Sequence, residues 1–221
     1  MAANFNGTSQ HLLLPYRAAM NTNTFSFSFW LWSSSTATAL QAIISRRNGT
    51  RTTRAFEILS ASNRIRLTVL GTNFTLNGNK PVSVWTHYVC QYDRNTGVVQ
   101  IYVNGVLQLS STATINIPTN ITTAITVACR DTGSIGTRWP GILADVRMYN
   151  RTLTAAEVMN VYTMKGRDRV KQGLVFRYRL NEGLRAAETV SVAKDQMGLF
   201  NATSVGSPVY AESPLLHGVR Y

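Results

Sequence analysis

The chain has 221 residues, 44% of them apolar, so it is long enough to bury a full core and too apolar to be disordered. No run of about 18 apolar residues occurs, which excludes a membrane-spanning helix. Its formal charge of +12 is carried by 18 Arg and 4 Lys against ten carboxylates, a field that calls for an acidic partner because guanidinium forks pair with carboxylate or phosphate.

The N-terminus lacks a basic stretch followed by an apolar one, so the chain is expected to fold in the cytoplasm where it is made. Residues 3–14 read as an opening strand, with Asn6-Gly7 as a turn and Leu12-Leu13-Leu14 closing it. Phe25 to Trp32 alternates: Phe25, Phe27, Phe29 and Leu31 share one face, while Trp30 and Trp32 lie on the other with the serines. Short β-type runs follow at 42–45, 55–59 and 64–70, with no helical stretch between them. Two further runs, 84–92 and 98–103, are joined by the turn residues Asp93 to Gly97. Asn104-Gly105 then supplies the dipeptide that tolerates positive φ at both centres of a type I′ turn, so these runs predict a three-stranded meander.

Ile125 to Cys129 and Trp139 to Arg151 are the next strands. Thr154 as N-cap and Glu157 three residues on form a capping box, with Leu153 and Val158 placed as a hydrophobic staple. This predicts one helix from about 154 to 163, ending near Gly166. Residues 164–172 form a charged connector, and 173–221 read as further strands or an arm, on the same sandwich or on a neighbouring subunit.

Five of these segments, in order, resemble one family. Trp85-Thr86-His87 through Tyr92-Asp93 and Gly97 to Tyr102-Val103-Asn104-Gly105 is similar to the core hairpin of the laminin-G-like, concanavalin A-like lectin/glucanase superfamily. The Phe25–Trp32 strand, the Gly141–Arg151 strand and the Leu153-to-Glu157 helix start resemble its other signatures, so the likeness covers residues 3–163. It implies an all-β fold: a two-sheet antiparallel jelly-roll sandwich with one short α-helix near 154–163. The implied division is a sandwich over 1–163, a connector over 164–172 and C-terminal strands or an arm over 173–221.

Glucanases of this superfamily carry paired carboxylates on one strand, about 5 Å apart in retaining enzymes. Glu57 is the sole carboxylate of the first ninety residues, so no glycosidase activity is expected. Calcium needs several carboxylates among its oxygens. Where the family string has a paired Asp-Asp this chain has Ala144-Asp145, so no metal is expected and Asp145 is assigned to a neighbouring Arg. No cofactor motif occurs, and His11, His87 and His217 are scattered, His87 on a core position. Cys90 and Cys129 read as buried thiols, and the six Asn-x-Ser/Thr sequons carry no glycan if the chain is not secreted.

The clearest basic constellation is Arg46, Arg47, Arg51 and Arg54 around the turn Asn48-Gly49-Thr50, with Arg167, Arg169 and Lys171 of the connector second. Trp139, beside Arg138 and Pro140, is the candidate for an exposed aromatic contact with a glycan. No aromatic interleaving of the nucleic-acid type accompanies the arginines. These features fit a non-enzymatic virion protein of the kind found in bacteriophages, a capsid decoration or fibre protein that docks on an acidic capsid surface as a homo-oligomer or symmetric array and is assembled in a host cytoplasm. A lectin-like module for host-surface glycans is the alternative.

Overall fold

Alternation along one aromatic strand organises the molecule. In the computed structural model, which describes residues 1–221 except 37, 48–54, 119, 131–136, 182–187, 191, 200 and 212–221, that strand is the third. The described elements run β1 (Ala2–Asn6), β2 (His11–Leu14), a 3₁₀ turn (Ala18–Met20), β3 (Phe25–Trp32), β4 (Gln41–Arg46), β5 (Phe56–Ala61), β6 (Arg64–Val69) and β7 (Thr72–Thr75). Then come β8 (Thr86–Tyr92), β9 (Val98–Val103), β10 (Val106–Thr112), β11 (Ile125–Val127), β12 (Pro140–Tyr149) and α1 (Ala155–Met164). The chain closes with β13 (Leu174–Tyr178), β14 (Val192–Ala193), β15 (Ala202–Val205) and β16 (Val209–Ala211).

Two eight-stranded sheets result. The front sheet has the order β10-β9-β8-β3-β12-β1-β16, with β13 also on β12; the back sheet has the order β14-β15-β2-β11-β4-β5-β6-β7. All their strand pairs are antiparallel. Phe25, Phe27, Phe29 and Leu31 point into the core between the sheets, as their alternation predicts. Phe25 and Phe27 meet Phe56 of the back sheet at centroid distances of 5.0 and 4.6 Å, so aromatic packing ties the layers together. The β8–β9–β10 meander forms as its turns predict, Asn104 and Gly105 both having positive φ (49° and 82°).

The opening segment needs correction. β1 pairs with β12 in the front sheet, whereas β2 pairs with β11 in the back one, so residues 3–14 are two strands in different layers. Asn6 Oδ1 accepts the amides of Thr8 and Ser9, and Gly7, at φ 74°, passes so close to Pro140 that a Cβ would lie 2.8 Å from its side chain. The turn is therefore a crossover between sheets rather than a bend within one strand. β7 was also unforeseen. The segment beyond 172 adds β13 and β16 to the front sheet and β14 and β15 to the back one.

The helix starts with its capping box formed: Thr154 Oγ1 accepts from Glu157 N, and Glu157 accepts from Thr154 N. Lys165 in the left-handed region ends it. Leu153, Val158 and Val161 are buried; Leu153 and Val158 pack on Val89, Tyr102 and Tyr149, so α1 lies on the outer face of the front sheet. Residues 165–172 form a strap that continues over that face.

Candidate functional site

Of the expected arginine constellation, Arg46 does not lie on the surface. In β4, Arg46 is registered opposite core residue Phe56, and strand alternation turns it inward. It is only 1% exposed. Its guanidinium donates to Met20 O and Ile121 O, both at 2.6 Å, to Asn21 Oδ1 at 2.8 Å and to Thr123 O at 3.2 Å. Burial with no carboxylate among these partners lowers its pKa to about 10. Arg46 is a clasp that ties two loops to β4, which corrects its assignment to a docking surface. Arg47 lies 3.6 Å from the fully buried Glu57, which Arg130 also reaches at 2.7 Å. Arg51 and Arg54 lie outside the described residues.

Trp139 also departs from expectation. It is fully buried in the core, with the Lys80 ammonium 5.6 Å from its ring centroid, so it offers no stacking platform to a glycan. Its neighbour Arg138 is half-buried and donates to Thr8 O at 2.8 Å. Of the sequence candidates, Arg167, Arg169 and Lys171 are exposed together, on the strap.

Beneath α1 and the strap, the outer face of the front sheet carries a polar layer whose members largely bond one another, His87 Nδ1 and Trp30 Nε1 being buried without a partner among the described residues. Ser28 and His87 Nε2 are 2.9 Å apart, and Ser26, Gln91 and Gln100 form a chain of hydrogen bonds. Desolvation, reinforced by the nearby Arg147 charge, lowers the His87 pKa to about 3 and keeps its imidazole neutral. Arg147 bridges Asp145 and Asp168, and Arg177 adds a 2.7 Å bond to Asp145. Burial opposes the Asp145 charge, yet these two guanidiniums hold its carboxyl well below the usual range. The expected pairing of Asp145 with an arginine is thus present twice over. Asp145 sits at φ 49° where β12 passes from pairing with β1 to pairing with β13, and that irregularity aims its carboxylate at both cations.

A different place leaves polar groups open. A cleft of about 400 Å³ lies where the β6–β7 edge of the back sheet faces β8–β10 of the front sheet, roofed by residues 76–81. Ile65, Leu76, Tyr88 and Val103 give it an apolar floor, and Asn77, Asn79, Asn104 and Gln108 line it with amides. Each amide has a local cause. Asn104 is held by the I′ turn, and its Oδ1 accepts His87 N at 2.9 Å, which leaves its NH₂ as the outward donor. Gln108 is the unpaired residue of the β10 irregularity between Leu107 and Leu109. Asn77 and Asn79 flank Gly78 in an exposed loop; beside Gly78 there is open space. The side chains of Asn77, Asn79 and Gln108 take no hydrogen-bond partner among the described residues. Lys80 anchors the loop, its Nζ donating to Ser35 O and Asn63 Oδ1 at 2.7 and 2.8 Å. Sequence reasoning missed this cleft; the Leu76-Asn77-Gly78-Asn79-Lys80-Pro81 turn was its available signal.

A family model for the concanavalin A-like lectin/glucanases superfamily matches residues 6–159. The chain belongs to that superfamily. Among solved structures, a Bacteroides ovatus protein assigned to carbohydrate binding aligns at TM-score 0.72 and 17% identity, over 96% of this chain and 61% of its own. The chain thus spans about three fifths of that protein's length. A heptameric SAP-like pentraxin from Limulus polyphemus aligns at TM-score 0.62 and 16% identity, over 79% of this chain and 90% of its own. The CBM40 of a Ruminococcus gnavus IT-sialidase, solved with α2,3-sialyllactose, aligns at TM-score 0.57 and 12% identity, over 73% of this chain and 96% of its own. At such identities the likeness shows the fold alone. No curated protein sequence matches the chain.

Proposed function

We propose that this superfamily member is a non-catalytic glycan-binding module and that the amide-lined cleft is its binding site. The observation that carries the reading is the set of exposed amides at Asn77, Asn79 and Gln108, without partners among the described residues, beside an apolar floor. Sugar hydroxyls both donate and accept, as amides do, and sugar C–H faces suit an apolar floor. The volume lies within the roughly 300–1,000 Å³ of small-ligand sites. Among the described residues no carboxylate lines the cleft, and Glu57 is buried against arginines away from it. The carbohydrate-binding relatives in fold support the same reading.

The test is a glycan screen with the full chain, followed by titration of Asn77→Ala/Asn79→Ala with the best ligand. The double variant should lose about tenfold or more in affinity, the equivalent of one or two hydrogen bonds, with an unchanged melt. Absence of any glycan ligand, or wild-type affinity in the double variant, overturns the reading. A second reading, docking of a basic surface on an acidic protein such as a capsid, retains the exposed Arg167, Arg169 and Lys171 in its favour.

A further inference from the structure

The strap between α1 and β13 lies in register with β12. Asp168 accepts two bonds from Arg147, at 2.8 and 2.7 Å. The Val170 carbonyl accepts the Tyr149 hydroxyl at 3.2 Å, and the Gln172 carbonyl accepts Arg151 Nε at 2.9 Å. Each of these contacts joins residues 21 apart. Gly166, at φ 89°, is held instead from β13: Arg177 donates to its carbonyl at 2.6 Å and to Asp145 at 2.7 Å. Asp168, Val170 and Gln172 are therefore fastened to Arg147, Tyr149 and Arg151, alternate residues of β12 and its exit. Alternate residues of a strand lie roughly 6.6 Å apart, so residues 168–172 of the strap are held at about that pitch.

The residues that alternate with the fastened ones are Arg167, Arg169 and Lys171, all exposed, while the exposed Lys165 stands before them in the left-handed cap of α1. Lys165, Arg169 and Lys171 enter no ion pair among the described residues. A row of cations thus stands at a strand's own two-residue spacing, on a backbone whose ordering has been completed by the fold. Preorganisation of this kind removes much of the entropic cost of binding.

We propose that the strap is a docking ladder for an extended acidic segment of a partner protein, one with Asp or Glu at alternate positions. Such a segment repeats its carboxylates at the same pitch, so each falls opposite one cation. The carbonyls of Gly166, Val170 and Gln172 are already taken by side chains of the front sheet. Recognition therefore runs through charges and their spacing rather than through added strand pairing. Single-stranded nucleic acid is disfavoured because the aromatic that touches the strap, Tyr149, is fully buried with its hydroxyl on the Val170 carbonyl and offers no face to bases.

The experiment titrates the full chain, at low salt, with a labelled peptide that alternates Asp and Ser, and with its permutation carrying all Asp in one block. The alternating peptide should bind more tightly. Arg167→Ser/Arg169→Ser/Lys171→Ser should weaken it by about tenfold, the sum of three exposed contacts. The control Arg17→Ser/Arg64→Ser/Lys194→Ser removes equal charge elsewhere and should change affinity less than about twofold. Equal affinity for the two peptides, equal loss in the control, or tighter binding of single-stranded DNA of matched charge overturns the ladder. Asn77→Ala/Asn79→Ala should leave peptide binding unchanged, so failure of the ladder and failure of the glycan cleft give different results.

Discussion

The outer face of the front sheet and the cleft at the β7–β10 edge are both rich in polar side chains, and they use them in opposite ways. Under α1 and the strap, Ser26, Ser28, His87, Gln91, Asp145 and Arg147 are bonded to one another and buried. In the cleft, Asn77, Asn79 and Gln108 are open and without partners among the described residues. A buried polar group must find its partner inside the chain or cost several kcal/mol, whereas a group at a rim can wait for a ligand. Residue type does not distinguish the two regions; bonding within the chain does, with His87 Nδ1 and Trp30 Nε1 as exceptions on the outer face.

The comparison is broken most severely at Arg147. Arg147→Ala leaves Asp168 without its cation and Asp145 with Arg177 alone, and should cost about 3–5 kcal/mol in urea unfolding. Arg46→Met strands the carbonyls of Met20, Ile121 and Thr123, and should cost about 1–3 kcal/mol by the same measurement. An equal stability for either variant would show that its oxygens are rehydrated.

The neutral His87 gives the next effect. Its pKa is 6.5 in the unfolded chain and about 3 in the fold, so between those values the unfolded state holds the extra proton. Stability should be full above pH 6.5 and fall as pH drops through that window, by up to about 1.4 kcal/mol per unit. Asp145 and Asp168, whose folded pKa values are depressed below the ordinary 3.8, add loss of the same sign at the acid end. His87→Asn should flatten the upper part of the curve, followed by melts across pH; an unchanged slope there would place the titration elsewhere. Smallest of all, Asn77→Ala/Asn79→Ala should alter stability by no more than about 0.5 kcal/mol, because a site reserved for ligand contributes little to the fold. A large destabilisation would mean that these amides are structural and would erase the contrast.

Local signals carried far in this chain. The Phe25–Leu31 alternation, the Asn104-Gly105 turn and the Thr154–Glu157 capping box each act within one or two turns of backbone, and each appears as read. The readings that changed depend on neighbours distant in sequence. Arg46 sits in an arginine-rich run, but its direction follows from its register against Phe56 and from carbonyls 26 and 75 residues away. Trp139 looks exposed beside Pro140 and is buried because the chain around it closes the core.

The sequence by itself determined the β-sandwich, its meander, its single capped helix and the excess of arginine, because strand periodicity, turn stereochemistry and capping are short-range properties of neighbouring residues. Only the tertiary structure decided which arginines are clasps and which face solvent, that β1 and β2 belong to different sheets, and that the strap falls into step with β12. It also decided that four amides from two separated segments converge on one cleft. Those outcomes depend on registry between strands and on which polar atoms remain unsatisfied after packing, and neither quantity exists until the whole chain has closed on itself.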